Sequence, residues 1–248
     1  MYTREEFEAM RNQKAKEMAG DAALQKDALD VMVRADQYNW LHQTTWMGEP
    51  ILQTAQDMFA VQEIMWNTRP RFVIECGVAW GGSSLFLATL LQGFGGEAVI
   101  GIDVYVPDDL RQRIASKGSI SQRIELHQRS SVDLETVDMV AKRLGGCRDV
   151  LVILDSNHTH EHVLMELNLY SPMVGPGHYI ICGDTIVENL PVQTHRPRPW
   201  GPGNNPKTAL DDFLMKNPTF EPDHSLEDKL LFTCSPSGYL RRKGDSVG

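Results

Sequence analysis

Residues 72–88, Phe-Val-Ile-Glu-Cys-Gly-Val-Ala-Trp-Gly-Gly-Ser-Ser-Leu-Phe-Leu-Ala, constrain the fold more than any other stretch of the chain. A short apolar run ends in Glu75-x-Gly77-x-x-x-Gly81-Gly82, and a helical pattern begins at once at Ser83. Glycines at a strand end let backbone approach a ligand closely. A second apolar run, 98–103, closes on Asp103. An acid ending the neighbouring strand can accept hydrogen bonds from a ribose diol. Together the two runs predict an adenosine-containing cofactor at the carboxyl edge of a parallel sheet.

The alternation continues. Short Val- and Ile-rich runs predict strands over 72–78, 99–104, 124–128, 150–155 and 179–184. They mostly lack a period of two, as strands covered on both faces do. Helical spacing lies between them, over 83–92, 108–117, 132–144 and 160–174. That arrangement is an α/β fold with a parallel sheet and right-handed crossovers. Before it, residues 1–45 are charged and helical, best over 22–38. Residues 40–50 form a loop anchored by Trp40 and Trp46, and 51–68 return to helical spacing. After Asp184 the alternation stops. Residues 185–206 hold five prolines with Gly201 and Gly203, which excludes regular structure there and predicts a functional loop. A helix over 208–216 and an antiparallel hairpin over 230–241 complete the pattern. The expected division is an N-terminal helical extension (1–50), one main domain (51–243, with 185–206 as a substrate lid) and a tail (244–248).

Bulk properties narrow the function. With 248 residues and 42% hydrophobic content, one large domain can bury a full core. A net charge of −9 and the lack of a basic stripe argue against a nucleic-acid partner. No apolar run approaches the ~20 residues of a membrane span, and the N-terminus lacks the apolar segment of a signal peptide. Cys76, Cys147, Cys182 and Cys234 are scattered without a Cys-x-x-Cys pair, which suits reduced thiols in the cytoplasm. The charged N-terminal helices and the two tryptophans provide interface material for a homo-oligomer.

The glycine turn lacks the middle glycine of Gly-x-Gly-x-x-Gly, which counts against a nicotinamide dinucleotide and an oxidoreductase. Glu75, two residues before Gly77, suits a cofactor carrying positive charge, such as S-adenosylmethionine. Ser83 and Ser84 would offer free N–H groups at a helix start to an anionic group. Asp155 and Asp184 end neighbouring strands, so both lie on the cofactor's edge. Two such carboxylates can share a hard cation such as Mg²⁺; helix capping is the competing role. His158 shares the Asp155 loop and can serve as general base. His160 and His162 read as a polar helix start, since the spacing is not His-Glu-x-x-His. His195, Arg198 and Trp200 in the proline-rich loop fit a lid that grips a sugar-like small molecule.

Trp46-Met-Gly-x-Pro50, Asp57, Gln62-Glu63, Ile74-Glu75-x-Gly77-x-x-x-Gly81-Gly82-Ser83, Leu154-Asp155-Ser156-x-His158, Glu161-His162-Val163, Glu166, Tyr170, Asp184-Thr185 and Pro236-x-Gly238-Tyr239-Leu240 carry a family likeness. Over 40–242 the chain resembles the cephalosporin hydroxylase / rhamnosyl O-methyltransferase family. The resemblance implies a Rossmann-like methyltransferase fold with a mostly parallel sheet, and O-methylation of a sugar or glycosylated product with S-adenosylmethionine as donor. It also implies roles. Glu75, Gly77, Gly81, Gly82, Ser83 and Asp103 would hold the donor, Asp155 and Asp184 a Mg²⁺ ion, and His158 the proton. The chain departs from the family's pattern at Gly183 and Asn157, where acids are common. The loss of two charges weakens the expected metal site, and Glu188 is a candidate substitute. Rival readings are a methyltransferase-like accessory subunit without turnover and a nicotinamide-dependent oxidoreductase.

Overall fold

The computed structural model describes residues 2–193 and 196–244. Its centre is a run of β-branched sequence buried on both faces. Strands β3 (Phe72–Cys76), β4 (Ala98–Asp103), β5 (Ile124–Gln128), β6 (Val150–Leu154) and β7 (Tyr179–Cys182) lie parallel in the order β5-β4-β3-β6-β7. Alternate side chains of β3 serve opposite layers, as the pleat requires. Phe72 and Ile74 pack with Val140, Leu167 and Phe213, while Val73 packs with Met65, Leu87 and Leu91. The helices supplying those layers are α3 (Ala55–Thr68) and α4 (Gly82–Phe94) on one face, and α6 (Leu134–Leu144), α7 (His160–Tyr170) and α8 (Pro206–Lys216) on the other. α5 (Asp108–Ala115) buries Leu110 and Ile114 against Val78 and Leu85.

Strand order reverses between β3 and β6, the position at which open α/β sheets form a ligand crevice. Register keeps the tips level: Cys76 lies opposite both Ile102 and Leu154, and Leu154 lies opposite Cys182. The residues that follow, Gly77, Asp103, Asp155 and Gly183, therefore leave the sheet along one edge.

The C-terminal closure differs from the predicted hairpin. β9 (Tyr239–Arg242) runs antiparallel to β7 on one side and to β8 (Phe220–Pro222) on the other. Residues 230–235 form no strand, because side chains rather than a ladder satisfy their backbone. Cys234 N donates to Asp57 Oδ2 at 3.0 Å, and Ser235 N donates to Thr233 Oγ1 at 2.9 Å. The true partner, β8, is a three-residue edge strand ending in proline, where proline is tolerated. The 185–206 segment also holds more structure than its prolines imply: a 3₁₀ turn spans Thr185–Asn189.

At the other end, α1 (Arg4–Gly20) starts with a Thr3–Glu6 capping box and buries nothing, whereas α2 (Ala22–Asp36) buries Ala28 and Met32. A 3₁₀ turn (Trp40–His42) leads to a small antiparallel ladder of β1 (Thr45–Trp46) and β2 (Glu49–Pro50). Trp46 anchors this ladder edge-on against Phe86, with ring centroids 5.1 Å apart. Trp40 rests on Phe232 at 5.8 Å. A short helix α9 (His224–Glu227) precedes the last strand. Among the described residues no helix is long and apolar enough to cross a membrane.

Candidate active site

The glycine turn is held from three sides. Gly77 has φ +98°, and a Cβ there would lie 2.1 Å from the Asp155 carbonyl oxygen. No other residue lets the tips of β3 and β6 close on one another. Asp103 Oδ2 accepts from Val78 N at 2.8 Å and Ala79 N at 3.1 Å, and its Oδ1 accepts from Tyr105 N at 2.9 Å. The acid expected to meet a ribose thus first fixes the turn; each carboxylate oxygen retains further acceptor capacity. Gly82 faces inward, since a Cβ there would lie 2.2 Å from the Pro50 carbonyl oxygen. Gly81, at φ +81°, packs on Leu110 and Ile114. These two glycines shape the turn from behind, and neither lines the cavity in front of it.

Glu75 is 2% exposed and its carboxylate accepts from the Ser84 hydroxyl. Burial pushes its carboxyl up to about 7, partly offset by the Ser83 and Ser84 hydroxyls. It stands behind the turn with no direct face on the main cavity. Ser83, one residue into α4, does reach that cavity.

The cavity in front of the strand tips has a volume of about 790 Å³. Gly77, Ser83, Asp103, Asp155, His158 and Asp184 all line it. Three of these form a cluster: ligand atoms of Asp155, His158 and Asp184 lie within 4.8 Å of one another. His158 Nδ1 is 3.5 Å from Asp184 Oδ2. Asp155 Oδ2 accepts from Gln53 Nε2 at 2.8 Å. Burial and then the neighbouring Asp184 carboxylate hold the Asp155 carboxyl well above the usual carboxylate range. Asp184 itself sits at φ +53°, a left-handed backbone that aspartate tolerates better than most side chains. Its loop is fastened by Thr185 Oγ1 donating to Pro236 O at 2.7 Å and Ile186 N donating to Cys234 O at 3.1 Å.

Two crowded carboxylates with an imidazole fit a divalent cation, which would relieve the repulsion between them; an oxygen-seeking ion such as Mg²⁺ would complete its shell with water and substrate oxygens. The two departures from the family pattern lie beside this cluster. A Cβ at Gly183 would be 2.9 Å from Asp155 Oδ1, so the missing side chain leaves room for that carboxylate. Asn157 Oδ1 accepts from Thr159 N at 2.9 Å, an ordinary turn role. Glu188 does not replace the missing acid. Its carboxylate takes Gly203 N at 2.8 Å and the Asn205 amide, tying the loop to the start of α8.

The three histidines part company. His160 Nδ1 lies 2.9 Å from Thr208 Oγ1, whereas His162 Nε2 lies 3.3 Å from Glu166 Oε1. Only His158 joins the acids among the described residues. Its ring packs against Trp200 with centroids 4.8 Å apart, and Arg198 lies 5.4 Å from the same indole. Both loop residues line the cavity. His195 lies outside the described residues.

Three features were given no role by the sequence. Gln53 holds Asp155 from a segment 102 residues away. Glu166, 0% exposed, accepts from Ser131 Oγ at 2.5 Å and Ser156 Oγ at 2.7 Å, while its Oε2 has no hydrogen-bond partner among the described residues. Asp36 of α2 accepts from Gln193 Nε2 at 2.7 Å and Arg196 Nη2 at 2.9 Å, across the cavity. Only Glu166 carried a sequence signal, through its family motif; the other two are long-range pairings of common residue types.

Comparison with known proteins bears on this geometry. The profile of the family described as Rhamnosyl O-methyltransferase/CmcI matches residues 38–243. The rhamnosyl O-methyltransferase of Mycobacterium leprae (strain TN) is 31% identical over 202 residues, covering 81% of this chain and 83% of that protein. Its counterpart in Mycobacterium tuberculosis (strain ATCC 25618 / H37Rv) is 28% identical over 203 residues, covering 80% and 78%. Among solved structures, CmcI with Mg and SAM superposes with a TM-score of 0.56 at 20% identity, over 82% of this chain and 78% of that one. The O-methyltransferase TomG from Streptomyces achromogenes, in complex with SAM, gives a TM-score of 0.52 at 15% identity, over 77% and 81%. These structural likenesses establish a fold shared with both proteins. The chain belongs to the Rhamnosyl O-methyltransferase/CmcI family and is an O-methyltransferase.

Proposed function

We propose that the chain transfers the methyl group of S-adenosylmethionine to a hydroxyl of a sugar, within a glycoside or polysaccharide. The observation that carries this reading is the convergence of Asp155, His158 and Asp184 in the same cavity as the Gly77 turn. The rhamnosyl O-methyltransferase activity for which the mycobacterial relatives are named, and the SAM and Mg of the CmcI structure, support the acceptor class, the donor and the ion.

The donor supplies an electrophilic methyl group, displaced in line by the acceptor oxygen. What the protein adds is alignment and a proton acceptor, and alignment alone is worth up to several kcal/mol of barrier. Gly77 and Ser83 leave backbone-close space for the donor, while Asp103 keeps the turn fixed. Glu75 sits behind that turn, where its negative form favours a cationic donor over its neutral product. Asp155 and Asp184 would hold a Mg²⁺ ion, which when bound lowers the pKa of an acceptor hydroxyl. His158 is the base. With Nδ1 turned toward Asp184 at 3.5 Å, Nε2 is the nitrogen left to take the hydroxyl proton. Trp200, packed on the His158 ring, confines that imidazole and offers a face to a sugar ring.

The test is a transfer assay with S-adenosylmethionine and 4-nitrophenyl α-L-rhamnoside, run on wild type and Asp155→Ala. Turnover should fall about a thousandfold, equivalent to ~4 kcal/mol, while S-adenosylhomocysteine affinity stays within about threefold of wild type. Equal losses of both would mean that Asp155 serves donor binding instead. Dialysis against EDTA should likewise stop turnover, and Mg²⁺ should restore it; an unaffected rate would remove the ion from the reaction.

A further inference from the structure

The cavity has a second wall. α2 lies before residue 38, where the family match begins, yet Met32, Val33, Asp36 and Gln37 all line the same cavity as Asp155 and His158. Their spacing places them on one face of the helix. Opposite stand loop residues that are mostly apolar, Val187, Leu190 and Val192 among them. The strand-edge half of the cavity sets the carboxylates of Asp103, Asp155 and Asp184 and the His158 imidazole among apolar neighbours such as Leu52, Val78 and Trp80. Met32, Val33, Leu190 and Val192 therefore add an apolar surface to the same cavity that holds the polar reacting cluster.

The two apolar walls are joined by a polar bridge. Asp36 takes hydrogen bonds from Gln193 and Arg196 at 2.7 and 2.9 Å, and the Asp36 and Arg196 side chains are only 15% and 27% exposed. A partly buried charged pair of this kind resists solvent screening better than a surface pair. It connects residues 160 apart in sequence, so it fixes where the loop stands relative to α2.

We propose that α2 is an acceptor-selecting wall, with Met32 and Val33 receiving the apolar portion of a glycoside and Asp36 positioning the 185–206 loop through Arg196. The inference rests on the reading of the strand-edge cluster as the methyl-transfer site. It goes beyond that reading by assigning acceptor choice to a segment outside the span that the family profile matches.

The experiment uses the full chain loaded with S-adenosylhomocysteine and calorimetric titration of two probes, 4-nitrophenyl α-L-rhamnoside and methyl α-L-rhamnoside. Wild type should bind the aryl glycoside about tenfold more tightly than the methyl glycoside. Val33→Asp should remove that preference while changing methyl rhamnoside affinity by less than about threefold. Val33→Ala, which introduces no charge, should reduce the preference without abolishing it. Asp36→Asn, which preserves shape but not the ion pair, should lower it about threefold with S-adenosylhomocysteine affinity and melting temperature unchanged. A wild type that binds the two probes equally, or binds neither, overturns the proposal. So does a preference that survives in Val33→Asp, Val33→Ala and Asp36→Asn alike. Failure of the underlying reading is separately visible: it would appear as absent methyl transfer from S-adenosylmethionine in a protein whose aryl preference and variant effects are as stated.

Discussion

The two halves of the cavity are built by different means. The strand-edge half is set by backbone: Gly77 against Asp155, and three N–H groups on the Asp103 carboxylate, all on the tips of buried parallel strands. The opposite half is joined by side chains, Asp36 with Arg196 from 160 residues away, while Glu188 braces the loop behind it through Gly203 N and the Asn205 amide. Backbone anchoring on a rigid sheet can hold reacting atoms to small tolerances. Side-chain ties on a helix and a proline-rich loop can change partner without disturbing the sheet. In the proposed account, chemistry belongs to the first half and acceptor selection to the second.

That division breaks or sharpens under substitution. The largest effect is expected at His158. His158→Ala should lower kcat by about a hundredfold to ten-thousandfold, with S-adenosylhomocysteine affinity nearly unchanged by calorimetry. A comparable loss of donor affinity would merge the two halves functionally. Gly77→Ala comes next. Its Cβ would meet the Asp155 backbone and its φ is unfavourable for alanine, so thermal unfolding should show a loss of about 3 kcal/mol or more. A stable variant with wild-type donor affinity would show that the turn is more compliant than its backbone contacts imply.

Glu75 tests the electrostatics behind the turn. Its carboxyl, raised to about 7 by burial, stays protonated in the folded protein where the unfolded chain has already ionised. The native state then binds more protons, so stability is fullest below pH ~4.5 and falls as pH rises to about 7, by roughly 3 kcal/mol in total. Glu75→Gln removes this dependence, so its melting temperature should gain on wild type across that window. The variant should also lose about fivefold of any preference for cationic S-adenosylmethionine over neutral S-adenosylhomocysteine above pH 7. The smallest effect is expected at Gly183. A Cβ there would press on Asp155 Oδ1 and Leu154 O, so Gly183→Ala should cost about 1 kcal/mol of stability and lower kcat while sparing donor affinity.

The same contrast explains what the sequence disclosed. Strands β3, β4, β6 and β7 announced themselves because a strand covered on both faces is mostly apolar, and the residues just beyond or at their ends include Gly77, Asp103, Asp155 and Asp184; β5, a partly buried edge strand, mixes apolar and polar residues. Local chemistry of this kind is written in consecutive residues. Gly81 and Gly82 look identical to Gly77 in sequence, yet they face Ile114 and Pro50, and only packing distinguishes them. β8 escaped notice because its three residues end in proline, and its pairing with β9 depends on a distant strand. Asp36–Arg196 and Gln53–Asp155 join segments 160 and 102 residues apart. No local pattern marks such pairs, so the tie between α2 and the loop stayed hidden, although the loop itself was legible as a lid from its prolines, Arg198 and Trp200.

The most direct test of the central claim is a crystal structure with S-adenosylhomocysteine bound. The sulfur should sit over the Gly77 turn and face the cluster of Asp155, His158 and Asp184, with the α2 wall left open for an acceptor. A ligand seated against Met32 and Val33, with its sulfur turned away from Asp155, would contradict the assignment of the two halves.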